Sequence, residues 1–341
     1  MILGLKVRSE FDQLLLNHAR STGASVYEQT KVDSISFSST IPGKPISVSW
    51  THKPPPCPPS PPASPKDSSF PGFFSSPVSP SKNELVHGST TFTHLIDATG
   101  RSGIMSTRYL KNRHFNASLK NIAVWGYWAN VGQYGFGSSR HGAPWFEALT
   151  GEPFVSSSLS QFKVSSDESG WAWFIPLHDG TTSVGVVMNE KLYRAKSQMP
   201  LPPSPFESPS APDSTMVTCY LSNLSCAPGV VKLITPAGVL NFGSVKSASD
   251  FSYSCPSYAG NGYRIVGDAG GKNRLKSHTV FSDINHESAF IDPFFSSGVH
   301  LAMTSALSAA ATICASIRYH CHELQAADWH TRRVSTSYTR Y

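Results

Sequence analysis

Charge is scarce in this sequence: only 15% of its 341 residues are Asp, Glu, Lys or Arg, and the balance is a net +6. That excess is small for the length and spread along the chain. It forms no basic stripe of the kind nucleic-acid binding needs, though it is compatible with anionic small molecules. The six cysteines, Cys57, Cys219, Cys226, Cys255, Cys314 and Cys321, make no CxxC pair, and no His-rich stretch has metal-ligand spacing, so no metal site is expected. Reduced thiols in an intracellular, cytoplasmic protein follow, with Cys314 and Cys321 read as small buried hydrophobes on an apolar helix. Met1 to Leu5 is too short an apolar run for a signal peptide, and Lys6 and Arg8 follow it. No stretch reads as the roughly 20 apolar residues a membrane span requires. Also missing is a GxGxxG turn after a strand; Gly132, Gly135 and Gly137 give only a wrongly spaced GxxGxG in a Tyr/Phe loop.

Proline is abundant instead, 26 in all, and eleven of them fall between Pro54 and Pro80 among serines. Such a segment builds neither helix nor ladder and reads as a disordered surface loop, with a PxxP ligand as a lesser alternative. Before it, residues 6 to 23 read as a helix capped by Ser9 and closed by Gly23, with Phe11, Leu14, Leu15 and Ala19 on one face. Ala24 to Phe37 then alternates like a strand. Strand signal returns at Thr90 to Ile96 and runs into Asp97-Ala98-Thr99-Gly100-Arg101-Ser102-Gly103, a small-residue turn that lets backbone approach a cofactor closely. Asn121 to Trp128 is an aromatic strand, and Trp171 to Met188 reads as two strands around the turn Asp179-Gly180. Together these predict an antiparallel sheet. Tyr263 to Val266 is a strand feeding Gly267-Asp268.

The most informative stretch is Phe290 to His300. Pro293 fixes φ, Ser296 and Ser297 are good helix N-caps, and Leu301, Ala302, Ala306, Ala309, Ala310, Ile313 and Ile317 continue at helical spacing. A helix start with free amides can hold a halide, a phosphate or an oxyanion; it can equally be the capped start of a core helix. From Asp328 onward the chain reads as helical and aromatic-rich.

Phe290, Pro293, Ser296 and Gly298 match an FxxPxxSxG pattern, and Trp171-Ala172-Trp173-Phe174-Ile175-Pro176 matches WxWxIP. Carrying both motifs in this order, the chain resembles the flavin-dependent halogenases, and within them the fungal phenol-type branch. The resemblance implies an α/β, two-domain flavoprotein monooxygenase-like fold: a parallel-sheet FAD domain, incomplete here, and an antiparallel-sheet substrate domain. It implies FAD, supplied as FADH2 by a separate flavin reductase, with oxygen and chloride as co-substrates. The substrate it implies is an electron-rich phenolic or polyketide-like small molecule of secondary metabolism. Arg8, Gly267, Asp268, Pro293 and Val299 would lie against the cofactor. Backbone amides of Ser297 and Gly298 would hold the halide. Trp171, Trp173, Ile175 and Pro176 would keep substrate off the flavin, and Phe295 would line the substrate pocket. Tryptophan-type members place a Glu at the position of Phe295, so a phenol fits better than free tryptophan.

For each of these residues an ordinary reading stands beside the functional one. Arg8 reads also as a solvated helix-end arginine, the tryptophans as sheet packing, and Gly267-Asp268 as a plain turn. The family's first strand, GxGxxG turn and catalytic lysine belong to a region expected to precede this chain; Lys6 is too close to Arg8 to be that lysine. No catalytic residue is therefore assigned, and the C-terminus is expected to stop short as well. The organisation expected is residues 1–50 as a partial FAD-domain helix and strand, 51–89 as the Pro/Ser insert, and 90–103 as the return to the FAD domain. Residues 104–262 form the substrate domain, with inserts near 151–166 and 200–215. Residues 263–341 form the FAD and halide segment with the C-terminal helix, interrupted at 270–288. The inserts at 151–166 and 270–288 break family-like text where the flanks rejoin smoothly, and read as retained introns or gene-model errors. Two other functions stay open: an FAD-dependent aromatic hydroxylase, and a non-catalytic fragment of a halogenase.

Overall fold

The computed structural model describes residues 8–54, 85–115, 121–150, 166–198, 206, 215–235, 237–249, 253–270 and 298–339. Helix α1, Arg8–Ser21, ends where expected: Gly23 stands at φ 99°, with Gly23 N bonded to Arg20 O and Ala24 N to Ala19 O. Its start and its face differ from expectation. The helix already runs at Arg8, so Ser9 lies within the first turn instead of capping it, and Leu14 and Leu15 stand exposed because no described element covers them. The strand expected from Ala24 begins only at Thr30, since Gln29, at φ 55°, turns the chain first.

Strands β1 (Thr30–Phe37), β2 (Pro45–His52) and β3 (Val86–Thr91) pair antiparallel in that order, with an irregularity at Asp33. The ladder thus takes in Thr51, His52 and residues 86–89, so the insert expected over 51–89 is shorter at both ends. Its proline-rich part, 55–84, lies outside the described residues. The single strand expected over Thr90 to Ile96 is two, because residues 92–94 carry the chain from one sheet to another. Strand β4 (Leu95–Asp97) pairs in parallel with β14 (Tyr263–Ile265), Leu95 opposite Tyr263 and Asp97 opposite Ile265, and β13 (Ala259–Gly260) adds an antiparallel edge. Ile35, Met105, Tyr263, Ile265 and Ala269 form the core between these two sheets, with Phe37, Val48 and Tyr109 packed on it.

The larger sheet matches the antiparallel sheet read from the aromatic strands. Its strands are β6 (Asn121–Ala129), β7 (Trp145–Thr150), β8 (Ser166–Pro176), β9 (Thr182–Asn189) and β10 (Val239–Leu240), in the order β10-β6-β9-β8-β7, with β11 (Lys246–Ser249) also on β6. Helix α2 (Glu190–Gln198) follows β9 directly. Period-2 alternation sends Val124, Trp128, Phe174, Val184, Val186 and Met188 to one face, where α3 (Thr215–Leu224) and α4 (Pro228–Ile234) cover them with Tyr220, Leu224, Val230 and Ile234. Each large apolar side chain buried there contributes about 1.5–3 kcal/mol. Within this core Trp128 Nε1 donates to the Tyr220 hydroxyl at 2.9 Å, which donates to Val184 O at 2.8 Å. Glu147 of β7 accepts the Gly229 and Val230 amides at 3.1 and 2.7 Å, tying down the start of α4, and burial raises its carboxyl pKa.

Helices α5 (Gly298–Ile317) and α6 (Glu323–Thr339) form a hairpin against β13 and β14. Two expectations fail on α5. It is 20 residues long and apolar enough to cross a membrane by length and composition, contrary to the reading that no stretch is. Small residues make it so, and its buried stripe of Leu301, Ser305, Ser308, Ala309 and Thr312 is half hydroxyl and packs inside the protein. Cys314 falls on the opposite, exposed face, and Cys321 lies beyond the helix end and is half-buried, so neither is a core residue. Cys57 lies outside the described residues, as do the inserts expected near 151–166, 200–215 and 270–288, apart from Ser166, Phe206, Thr215 and Gly270.

Candidate active site

The parallel strands β4 and β14 deliver two turns to one edge. At the end of β4, the buried Asp97 organises the first turn: its Oδ1 accepts Thr99 N at 3.0 Å and Thr99 Oγ1 at 2.6 Å, and its Oδ2 accepts Met105 N at 2.7 Å. At the end of β14, Gly267 stands at φ 58°, a conformation that favours glycine, and opens the short turn Gly267–Ala269. That turn rests on the first turns of α5. Gly267 N donates to Ser305 Oγ at 2.9 Å, Gly267 O accepts the Tyr338 hydroxyl at 3.2 Å, and the glycine faces Ala302. The Asp268 side chain is exposed, while its carbonyl accepts the Tyr253 hydroxyl at 2.6 Å. Burial pushes that phenol up to about 12, so it stays a donor at neutral pH.

Gly298 begins α5 in the open, with nothing within 4 Å of where a Cβ would point, and Val299 beside it is half-buried. The structure therefore brings Gly267, Asp268 and the α5 helix that Gly298 and Val299 begin together at the C-terminal ends of parallel strands, where open α/β sheets bind ligands. Pro293, Phe295 and Ser297 lie outside the described residues, as does the side chain of Arg8, which is the first residue of α1. Glu10 of that helix meets His178 Nε2 at 3.1 Å and so ties α1 to the turn after β8.

Behind this edge a short polar network anchors the helical hairpin. Arg264 of β14 is fully buried and donates Nη1 to Glu323 Oε1 at 2.8 Å and Nε to Thr312 Oγ1 at 3.1 Å. Burial raises the Glu323 carboxyl, but hydrogen bonds from Arg264, Ser316 and Gly262, together with the guanidinium charge, outweigh it and hold the pKa at about 2. His330 of α6 sits between Ser308 Oγ at 2.9 Å and Ile265 O at 3.1 Å, and burial lowers its pKa to about 4.

The second part of the site is the other face of the large sheet. Trp171, Trp173 and Ile175 of β8 all point there, away from the core that α3 and α4 close, and all three are half-buried; Pro176 ends the strand. The tryptophans do not stand alone. Their rings lie 5.6 Å apart, Phe146 of β7 is 6.1 Å from Trp171, and Trp125 of β6 is 6.4 Å from Trp173. Trp125 and Trp173 meet across Gly185, which pairs with both in register; a Cβ there would lie 2.7 Å from Trp125 Cβ and would strike the Trp173 ring. Trp173 Nε1 donates to Ser183 Oγ at 3.1 Å and fixes the tilt. Sequence reading missed Trp125, Phe146 and Gly185. A glycine inside the strand Ser183-Val184-Gly185-Val186 was the one signal on offer, since such a residue marks a close approach.

Also missed was Arg113, just before strand β5 (His114–Phe115), which pairs with β12 (Tyr253–Ser254). Its guanidinium lies 4.0 Å over the Tyr253 ring and donates to Arg101 O at 2.5 Å, Ser106 Oγ at 3.2 Å and Ala269 O at 2.9 Å.

The fold is similar to that of solved flavin-dependent halogenases. It matches the crystal structure of CmlS, a flavin-dependent halogenase, with a TM-score of 0.64 and 24% identity, covering 98% of this chain and 44% of that one. In sequence it is 42% identical over 336 residues to the flavin-dependent halogenase armH1 of Armillaria mellea, covering 98% of this chain and 51% of that protein. It is 39% identical over 342 residues to otaD of Aspergillus niger, covering 98% of this chain and 56% of that protein. No family model matches. The chain is similar in sequence to fungal flavin-dependent halogenases and spans about half the length of the curated relatives it matches.

Proposed function

We propose that this chain carries the flavin-facing and substrate-facing surfaces of a halogenase that chlorinates an electron-rich phenolic ring. The observation that carries the reading is the convergence at one edge: an open glycine turn at Gly267-Asp268, the start of α5 at Gly298, and the loop ordered by Asp97. These residues fit a flavin. Gly267 leaves room for backbone to approach the cofactor, and the exposed Asp268 carboxylate is an acceptor suited to a sugar-alcohol hydroxyl. Reduced FAD, supplied by a separate reductase, provides with oxygen the two-electron oxidation that makes chloride an electrophile.

The chain's own residues do the rest. Gly298 starts α5 at its positive end, where a halide is favoured and a fixed carboxylate would repel it, and by the motif the Ser297 amide would join it. By the same motif Val299 and Pro293 would wall the isoalloxazine and Arg8 would supply a cation near it. The half-buried Trp171, Trp173, Ile175 and Pro176 would stand as a barrier between flavin and substrate, so that the ring meets the oxidised halogen instead of the flavin. Phe295 would give the pocket an apolar wall suited to a phenol, whose own hydroxyl activates the ring. We place the protein in the cytoplasm with its reductase.

The test has two stages. Quenching of flavin fluorescence by the purified 341-residue chain should show FAD binding. Incubation with a flavin reductase, NADH, chloride and a resorcinol-type phenol should then give a monochlorinated product by mass spectrometry, with free tryptophan unchanged. Absence of FAD binding by these residues would overturn the flavin reading of this edge. Hydroxylated product without halide incorporation would point to an aromatic hydroxylase.

A further inference from the structure

We propose that Arg113 is a positioning residue that holds the two cofactor-facing turns in register, and that Gly103 lacks a side chain in order to admit it. The inference rests on the flavin reading of those turns. One guanidinium spans them both: Nη1 reaches Arg101 O on the Asp97–Gly103 loop at 2.5 Å, and Nη2 reaches Ala269 O on the Gly267–Ala269 turn at 2.9 Å. Nη2 also meets Ser106 Oγ at 3.2 Å, and that hydroxyl itself donates to Ala269 O at 2.7 Å.

The group's fourth side is packed on the Tyr253 ring, 4.0 Å away, whose hydroxyl holds the Asp268 carbonyl at 2.6 Å. Arg113 thus grips Ala269 directly and Asp268 through Tyr253. Gly103, at φ 46°, is where the guanidinium passes: a Cβ there would overlap Arg113 Nη2 and lie 2.5 Å from Ala269 O. Among the described residues no carboxylate pairs with Arg113; its contacts are to carbonyls, a hydroxyl, a ring and the Cys255 thiol. An ion pair would serve stability alone. A planar fork bridging three acceptors fixes geometry instead, and the point charge of lysine cannot reproduce it.

The experiment compares wild type with Arg113→Lys, Arg113→Gln and a control, Val230→Ala, which trims a buried residue of α4 in the core of the large sheet, away from both turns. Amide hydrogen exchange and FAD fluorescence titration are read on all four. Both Arg113 variants should exchange faster across 97–106 and 266–270 and bind FAD about tenfold more weakly, the size expected for losing charge-assisted hydrogen bonds. Val230→Ala should lower the melting temperature and leave FAD affinity unchanged. Full affinity and unaltered exchange in Arg113→Lys would overturn the proposal, because charge alone would then suffice. If wild type binds no FAD, the flavin reading fails, and exchange still decides the clamp: unchanged protection in Arg113→Gln would refute it.

Discussion

Gly185 shows how much a missing side chain can control. It is flanked in register by two tryptophans, and both use the space its Cβ would fill. Gly185→Ala should cost about 1–3 kcal/mol through overpacking and, more diagnostically, change the near-UV circular dichroism as Trp173 turns away from Trp125. A near-UV spectrum identical to wild type would mean that the ring has another way to settle. His330 allows a prediction of opposite character. Its folded pKa, about 4, lies below the ordinary 6.5 because burial disfavours the charged ring. The unfolded chain therefore takes up the proton first, so this contribution to stability is complete above pH 6.5 and is lost as pH falls from 6.5 to 4. His330→Gln should flatten the melting temperature over that interval. Neither residue was legible beforehand, since one is an absence inside a strand and the other an unremarkable helix histidine whose partners are Ser308 and a strand carbonyl.

At the scale of elements, the α5–α6 hairpin is joined to the parallel strands by the Arg264–Glu323 pair. Glu323→Ala leaves a fully buried guanidinium without its counter-charge, which should cost about 3–5 kcal/mol and raise exchange in α6 before the large sheet responds. The pH dependence has its own window. The carboxyl is held at about 2 against 4.5, so its contribution is complete above pH 4.5 and is lost on acidification toward 2, and Glu323→Gln should remove that lower limb alone. Elements with strong periodicity were readable: β8 and β9 around Asp179-Gly180, the aromatic strand β6, and the long α5. Strands of three residues were harder. Only β14 was expected as a strand of its own, over Tyr263 to Val266 against the observed Tyr263–Ile265, while Leu95 to Asp97 was merged with β3, because a run that short carries no alternation to separate two sheets. Which face of α1 would be covered was illegible for another reason: helical spacing predicts a stripe, and only tertiary neighbours decide whether anything meets it.

The whole molecule divides its work between two surfaces. A large antiparallel sheet is sealed by helices on one side and presents indole rings on the other, and a small parallel pair gathers turns at one end. The motifs located both surfaces in the sequence, since Trp171-Ala172-Trp173 and Gly267-Asp268 each lie on one of them. What bridges the two turns at the second surface was hidden, because Arg113 has no motif and acts largely through backbone carbonyls, one of them 156 residues away in the chain. That distance bears on how the protein is made. Ser106 and Ala269, bonded at the edge formed by β4 and β14, are 163 residues apart, whereas the large sheet is assembled wholly from the segment between them. Closing so long a loop brings no reward until its last contact forms. On a ribosome adding about 5–20 residues per second, the sheet can therefore fold early while the edge waits for β14 and the helices after it to emerge. A newly made chain would pass through a stage with its indole face built and the β4–β14 edge still open, and pulse-labelled exchange should find the amides of β6, β8 and β9 protected before those of Met105 and Val266.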